Sequence, residues 1–98
     1  MVSMSCYFIA QIDIHDEAAY AAYLAGYDEV FDRFDGEVLA VDDAVTVLEG
    51  EWPFSRTVVI RFPDRASLDR WYRSPEYQAL AEHRRRGSIG NIAAVEGR

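Results

Sequence analysis

Glu49 is the side chain best placed by sequence to act as a base. It follows the apolar-rich run Val45 to Leu48 and precedes Gly50 and Trp52-Pro53, with Arg56 and Arg61 in the next strand. A carboxylate carried into an apolar neighbourhood either gains a cationic partner or has its pKa raised, the usual preparation of a general base. A structural ion pair with Arg56 or Arg61 is the competing reading. Aromatic residues supply candidate walls. Tyr20, Tyr23 and Tyr27 recur at helical spacing, and Trp52, Trp71 and Tyr77 lie in the segment Leu48 to Gln78, which holds both tryptophans and all three prolines of the chain. As ligand-binding residues, Tyr23, Tyr27, Trp52, Arg61, Trp71 and Tyr77 would hold and orient a phenolic or carbonyl compound. As structural residues, the tyrosines are core with hydroxyls at the rim, and Trp52 is a loop anchor or interface residue.

What the chain lacks narrows the chemistry further. There is no lysine, so Schiff-base catalysis and a lysine-tipped phosphate loop are excluded. The single Cys6 permits no intrachain disulfide and no multi-cysteine zinc site, and it reads as a small packing residue. His15, in a turn between Asp13 and Asp16, and His83, late in a helix, have no metal-ligand spacing around them. No metal and no cofactor are therefore expected. The net charge of −7 opposes nucleic-acid binding. Arg84-Arg85-Arg86, the one basic run, reads as a helix C-terminus complementing the backbone dipole, with an anion site as the alternative. No apolar run is long enough for a membrane span and no secretory pattern opens the chain, so a cytoplasmic protein is expected.

These residues need elements to position them. Tyr7 to Ile14 alternates as a strand, with Phe8, Ala10, Ile12 and Ile14 on one side and Tyr7, Ile9, Gln11 and Asp13 on the other. Asp16 can cap a helix whose apolar stripe runs from Tyr20 to Phe34 and which Asp35-Gly36 would end. Glu37 to Val41 and Val45 to Glu49 read as strands around an Asp42-Asp43 turn, and Arg56 to Phe62 is the strongest strand. Asp64 caps a second helix with Leu68, Trp71 and Tyr72 on its apolar face. Continued straight, that helix would put Tyr77 roughly 180° from this face. Ser74-Pro75, an N-cap followed by a first-turn proline, predicts a break and a restart in a new direction. Gly87 ends the restarted helix, and Ser88 to Glu96 is a last strand.

Residues 1–98 are expected to form one domain behind a loose leader, Met1 to Ser5, since the length holds one core. The order of elements predicts an α+β, ferredoxin-like βαββαβ chain with an antiparallel sheet and two helices on one face. The opposite face carries Tyr7, Ile9, Gln11, Thr57, Val59 and Arg61, too apolar to be left wet, so a homodimer packed sheet to sheet is expected.

Several of these residues also carry a family resemblance. Asp16 with Tyr20 and Tyr23, Leu48-Glu49-Gly50-Glu51-Trp52, Arg56, Val59 to Pro63, Trp71-Tyr72-x-Ser74-Pro75-Glu76-Tyr77 and Glu96-Gly97 resemble domain-of-unknown-function family 1330, from Tyr7 to Gly97. Glu17 stands where such sequences often have proline. The resemblance implies the dimeric α/β-barrel superfamily, in which a ferredoxin-like sheet closes a barrel with its partner. It brings no established reaction. The wider superfamily includes cofactor-free monooxygenases, lactone isomerases, haem-binding enzymes and ligand sensors, which commonly hold a ligand between sheet and helices; such analogy sets an expectation only. The resulting expectation is a small homodimeric protein that binds a small organic molecule, with cofactor-free proton transfer or oxygenation and Glu49 as base. The alternatives are a non-catalytic metabolite-binding module and a dimeric interaction module.

Overall fold

The computed structural model describes residues 4–98, so Met1 to Ser3 of the expected leader lie outside the described residues. The elements are β1 (Cys6–Ile14), α1 (Glu17–Phe31), β2 (Glu37–Asp42), β3 (Arg56–Phe62), α2 (Arg65–Tyr72), α3 (Pro75–Gly87) and β4 (Ser88–Glu96). They build a four-stranded sheet in the order β2-β3-β1-β4, antiparallel at every pairing. This is the expected α+β, ferredoxin-like topology. Cys6, Phe8, Ala10 and Ile12 turn one parity of β1 into the core, where they meet Ile60 and Phe62 of β3. All three helices cover that side, through Tyr20, Tyr23 and Phe31 of α1, Leu68 and Trp71 of α2, and Tyr77 and Ala81 of α3.

Each helix starts at the polar residue the sequence offers for it. The Asp16 carboxylate accepts from the Ala19 amide at 3.2 Å. Asp64 accepts from the Ser67 amide at 2.7 Å, and that hydrogen bond holds its carboxyl below the usual range. The predicted break between α2 and α3 is present. Ser74 accepts from the Tyr77 amide at 3.1 Å and donates to the Trp71 carbonyl at 2.8 Å, so one side chain ends α2 and opens α3. The phase shift lets Trp71 and Tyr77 both enter the core, with ring centroids 4.3 Å apart.

Four expectations are corrected. The sheet is open and not closed into a barrel, because β2 and β4 are edges paired on one side only. The homodimer expected from the apolar outer face is not borne out either. Tyr7, Ile9, Gln11, Thr57 and Val59 on the outer face are half-buried by their own neighbours, so that face is less bare than its composition implies. Val45 to Glu49 is not a strand; it belongs to an exposed loop with Leu48 89% exposed, and it pairs with no strand. Finally, α1 ends at Phe31 and not at Gly36. Gly36 has no left-handed φ, and its constraint is space: a Cβ there would fall 2.6 Å from the Phe31 ring and 2.7 Å from Phe62. The glycine with a left-handed φ is Gly50, at +76° in the loop before Trp52.

Candidate functional site

The helices stand off part of the sheet and leave a cavity of about 330 Å³ between α1, α3 and strands β1 to β4. Its floor is apolar: Phe8, Ala10 and Ile12 from β1, Val58 and Ile60 from β3, with Val38, Val41 and Ile92 from the flanking strands. Its polar atoms come from the helices and one strand. Tyr20, Tyr23, Tyr27 and Asp28 enter from α1, Tyr77 and Arg84 from α3, and Arg56 from β3. The spacing explains the set, because residues 20, 23 and 27 share one side of α1, and 77, 81 and 84 share one side of α3. α1 and α3 approach closely: a Cβ on Gly26 would lie 2.8 Å from Leu80, and one on Gly87 would lie 2.7 Å from the Asp16 carbonyl.

Two arginines face the cavity in different states. Arg56 is spoken for, with Nη1 2.6 Å from Asp43 and Nε donating to the Tyr20 hydroxyl at 3.2 Å. Arg84 is buried, packs its guanidinium 6.0 Å from the centre of the Tyr23 ring, and has an Nε–H that no protein acceptor meets. Beside it the Tyr23 and Tyr77 hydroxyls share a hydrogen bond of 2.8 Å, and the Tyr27 hydroxyl is buried without a partner. Burial pushes the pKa of Tyr23 well above its ordinary value, reinforced by Tyr77. Burial raises Tyr27 likewise. Tyr77 is raised by burial against the opposing influence of Arg84. Burial works against the charge of Arg84, but the Tyr77 and Tyr23 oxygens more than offset it, and the guanidinium stays protonated. The corner is therefore cationic and rich in neutral hydroxyl groups at any working pH.

Of the residues singled out by sequence, Tyr23, Tyr27 and Tyr77 line this cavity. Trp71 does not: it is completely buried behind it, stacked on Phe62 with centroids 5.3 Å apart. Trp52 is 42% exposed, donates from Nε1 to Thr57 at 2.9 Å, and borders a separate hollow with Glu49 and Val45 to Leu48. Glu49 is exposed on that loop and does not line the cavity. Its two expected partners are engaged elsewhere, Arg56 with Asp43 and Arg61 with Glu37 at 3.9 Å. Arg61 also donates to Ser5 and points away from the cavity lining. Tyr20, a candidate wall by its spacing, lines the cavity too, whereas sequence reasoning missed Asp28, Arg56 and Arg84 as cavity residues. The signal for Arg84 was present: it lies seven residues after Tyr77 and three after Ala81, on the buried stripe of α3. Among the described residues, no group of three or more His, Cys, Asp or Glu side chains could hold a metal ion, and no helix is long and apolar enough to cross a membrane.

The fold and cavity define a ferredoxin-like α+β protein with an aromatic pocket between its sheet and helices. The chain belongs to the family described as Domain of unknown function (DUF1330), whose model matches residues 5–98. Among solved structures it is similar to RPA0582, a protein of unknown function from Rhodopseudomonas palustris, with a TM-score of 0.76 at 18% identity over 96% of this chain and 82% of that one. It is also similar to SnoaB, a cofactor-independent oxygenase from Streptomyces nogalater, with a TM-score of 0.67 at 16% identity over 96% and 93% of the two chains. A putative antibiotic biosynthesis monooxygenase from Nitrosomonas europaea aligns with a TM-score of 0.64 at 8% identity, over 99% and 92%. At these identities the likeness is one of fold. No curated protein matches the sequence.

Proposed function

We propose that the protein binds a small, largely apolar organic molecule in the cavity between α1, α3 and the sheet, and that this molecule undergoes cofactor-free proton transfer or oxygenation there. The carrying observation is the cavity itself: an apolar floor with the Tyr23–Tyr77 hydroxyl pair and Arg84 gathered at one wall, the usual composition of a small-molecule site. Tyrosines held neutral cannot serve as bases at neutral pH, but they donate hydrogen bonds to charge developing on a substrate oxygen. The reactivity would thus reside in the substrate, with the wall stabilising its oxygen. That SnoaB, of like fold, is a cofactor-independent oxygenase supports this reading by analogy.

The second reading is binding without turnover. It is favoured by the position of Glu49 outside the cavity, which leaves Asp28, itself largely exposed, as the carboxylate in the lining. A screen of small aromatic and dicarbonyl compounds separates the two. Trp71 lies against Tyr77, so in a Trp52→Phe background its fluorescence reports occupancy. Saturable binding with oxygen uptake or isomerised product is expected. Saturable binding with neither selects the second reading, and a library that leaves Trp71 unperturbed overturns both. Glu49→Gln is expected to leave affinity unchanged.

A further inference from the structure

We propose that the ligand of this cavity is an organic monoanion, a carboxylate or an ionised enol or phenol, whose charged oxygen is held against Arg84. The inference rests on the binding function above and specifies its ligand class. Among the described residues Arg33, Arg56, Arg61, Arg65, Arg70, Arg73 and Arg85 each lie within ion-pair distance of a carboxylate. Arg84 does not, although it is 7% exposed and so more deeply buried than any of those seven. A buried guanidinium without a carboxylate is costly to the fold unless something completes it. Here its Nε–H is left without an acceptor on the cavity wall.

The surrounding groups complete it only in part: the guanidinium has a hydrogen bond with the Tyr77 hydroxyl, but its Nε–H has no acceptor and, among the described residues, no carboxylate lies within ion-pair distance. Arginine only donates, and two hydroxyls joined in one hydrogen bond still hold a second hydroxyl hydrogen between them. The unpartnered Tyr27 hydroxyl adds another. The corner therefore has an unsatisfied N–H and an unsatisfied O–H group, and one positive charge with no carboxylate beside it. The complement of that set is an acceptor oxygen carrying a single negative charge, and charge-assisted hydrogen bonds of this type are the strong ones. A dianion would exceed the charge available, since Arg56 is already neutralised by Asp43 and Asp28 in the lining repels it. The apolar floor and the 330 Å³ volume call for a compact, flat body behind the charged oxygen.

Calorimetric titration of the full chain with matched pairs tests this. The pairs are 2-naphthoate against 2-naphthamide for the carboxylate, and 4-nitrophenolate against 4-nitroanisole, in mildly alkaline buffer, for the ionised hydroxyl. In at least one pair the anion is expected to bind about tenfold or more tighter than its neutral counterpart, the loss typical of leaving a buried charge unpaired. Arg84→Gln is expected to erase that preference while neutral binding persists. Tyr27→Phe, which keeps the charge, is expected to weaken the anion and spare the neutral compound. Neutral compounds binding as tightly as anions in both pairs overturn the monoanion assignment while leaving the pocket standing. A preference that survives Arg84→Gln in folded protein removes Arg84 as the anchor. If none of the four compounds binds the intact protein, the binding function falls with the inference.

Discussion

Tyr23 and Tyr27 sit one helical turn apart on the same face of α1, but the Tyr23 hydroxyl has a partner and the Tyr27 hydroxyl has none. Their phenylalanine variants should therefore part company. Tyr23→Phe removes one side of a buried hydrogen bond and leaves the Tyr77 hydroxyl with Arg84 alone, at a cost of about 1 kcal/mol. Tyr27→Phe removes a polar atom that the free protein leaves unsatisfied, so stability should stay level or rise by up to about 1 kcal/mol. Urea denaturation of the two variants reads the difference, and equal losses would contradict the assigned hydrogen bonds. At this scale the sequence was legible where helical phase decided the matter. It placed Tyr23 and Tyr27 on the inward face, but the same phase puts Arg84 on the stripe of Tyr77 and Ala81, and the neighbouring Arg85 and Arg86 masked it behind a dipole argument. Glu49 departs from its expected setting for a different reason: the apolar neighbourhood depended on a strand at Val45 to Glu49 that does not form.

The junction between α2 and α3 is the element that the sequence specified most completely. A half-turn phase conflict, a good N-cap and a proline all pointed to Ser74-Pro75, and the structure restarts the helix there. The same argument gives a sharp expectation for Ser74→Ala. The hydroxyl is buried, caps Tyr77 and donates to the last turn of α2, so its loss leaves the Tyr77 amide without a partner and takes from the Trp71 carbonyl one of its two hydrogen bonds. The expected cost is about 2 kcal/mol, the upper part of the range for a lost cap. Because Tyr77 is the residue re-aimed by the junction, the variant should also change the Trp71–Tyr77 contact, visible as a shifted tryptophan emission. A loss under about 0.5 kcal/mol, the value for an exposed cap, would mean that the hydroxyl does not bridge the helices. The failed strand at Val45 to Glu49 marks the opposite case. Alternating β-branched residues express a preference for a pleated surface, and without a partner edge that preference has nothing to act on.

For the molecule as a whole, the order of elements was enough to give the topology, because short right-handed connections leave few ways to arrange four strands and their helices. Closure of the sheet was not legible, since composition records how apolar a face is and not how far its own neighbours cover it. What the assembled fold adds is a concentration of buried hydroxyls, and this has a global consequence. Tyr23, Tyr27 and Tyr77 all have pKa values raised by burial, so the folded protein keeps their protons at pH values where the unfolded chain, titrating near about 10, gives them up. The unfolded state then binds fewer protons than the native one, and stability must fall as pH rises. The contribution is complete below about pH 10 and is lost above it, with a limiting slope of about 1.4 kcal/mol per pH unit for each such tyrosine. Urea midpoints measured from neutral pH upward should be level at first and then drop steeply once the unfolded chain ionises. Tyrosinate absorbance from these residues should appear with unfolding and not before it. Tyr23→Phe, starting from a lower midpoint, should show a shallower fall because one proton is removed from the linkage. A midpoint that stays level into the alkaline range, or absorbance in the still-folded chain beyond what the other three tyrosines can supply, would mean that the hydroxyls reach solvent and that the cavity wall is not the buried cluster described.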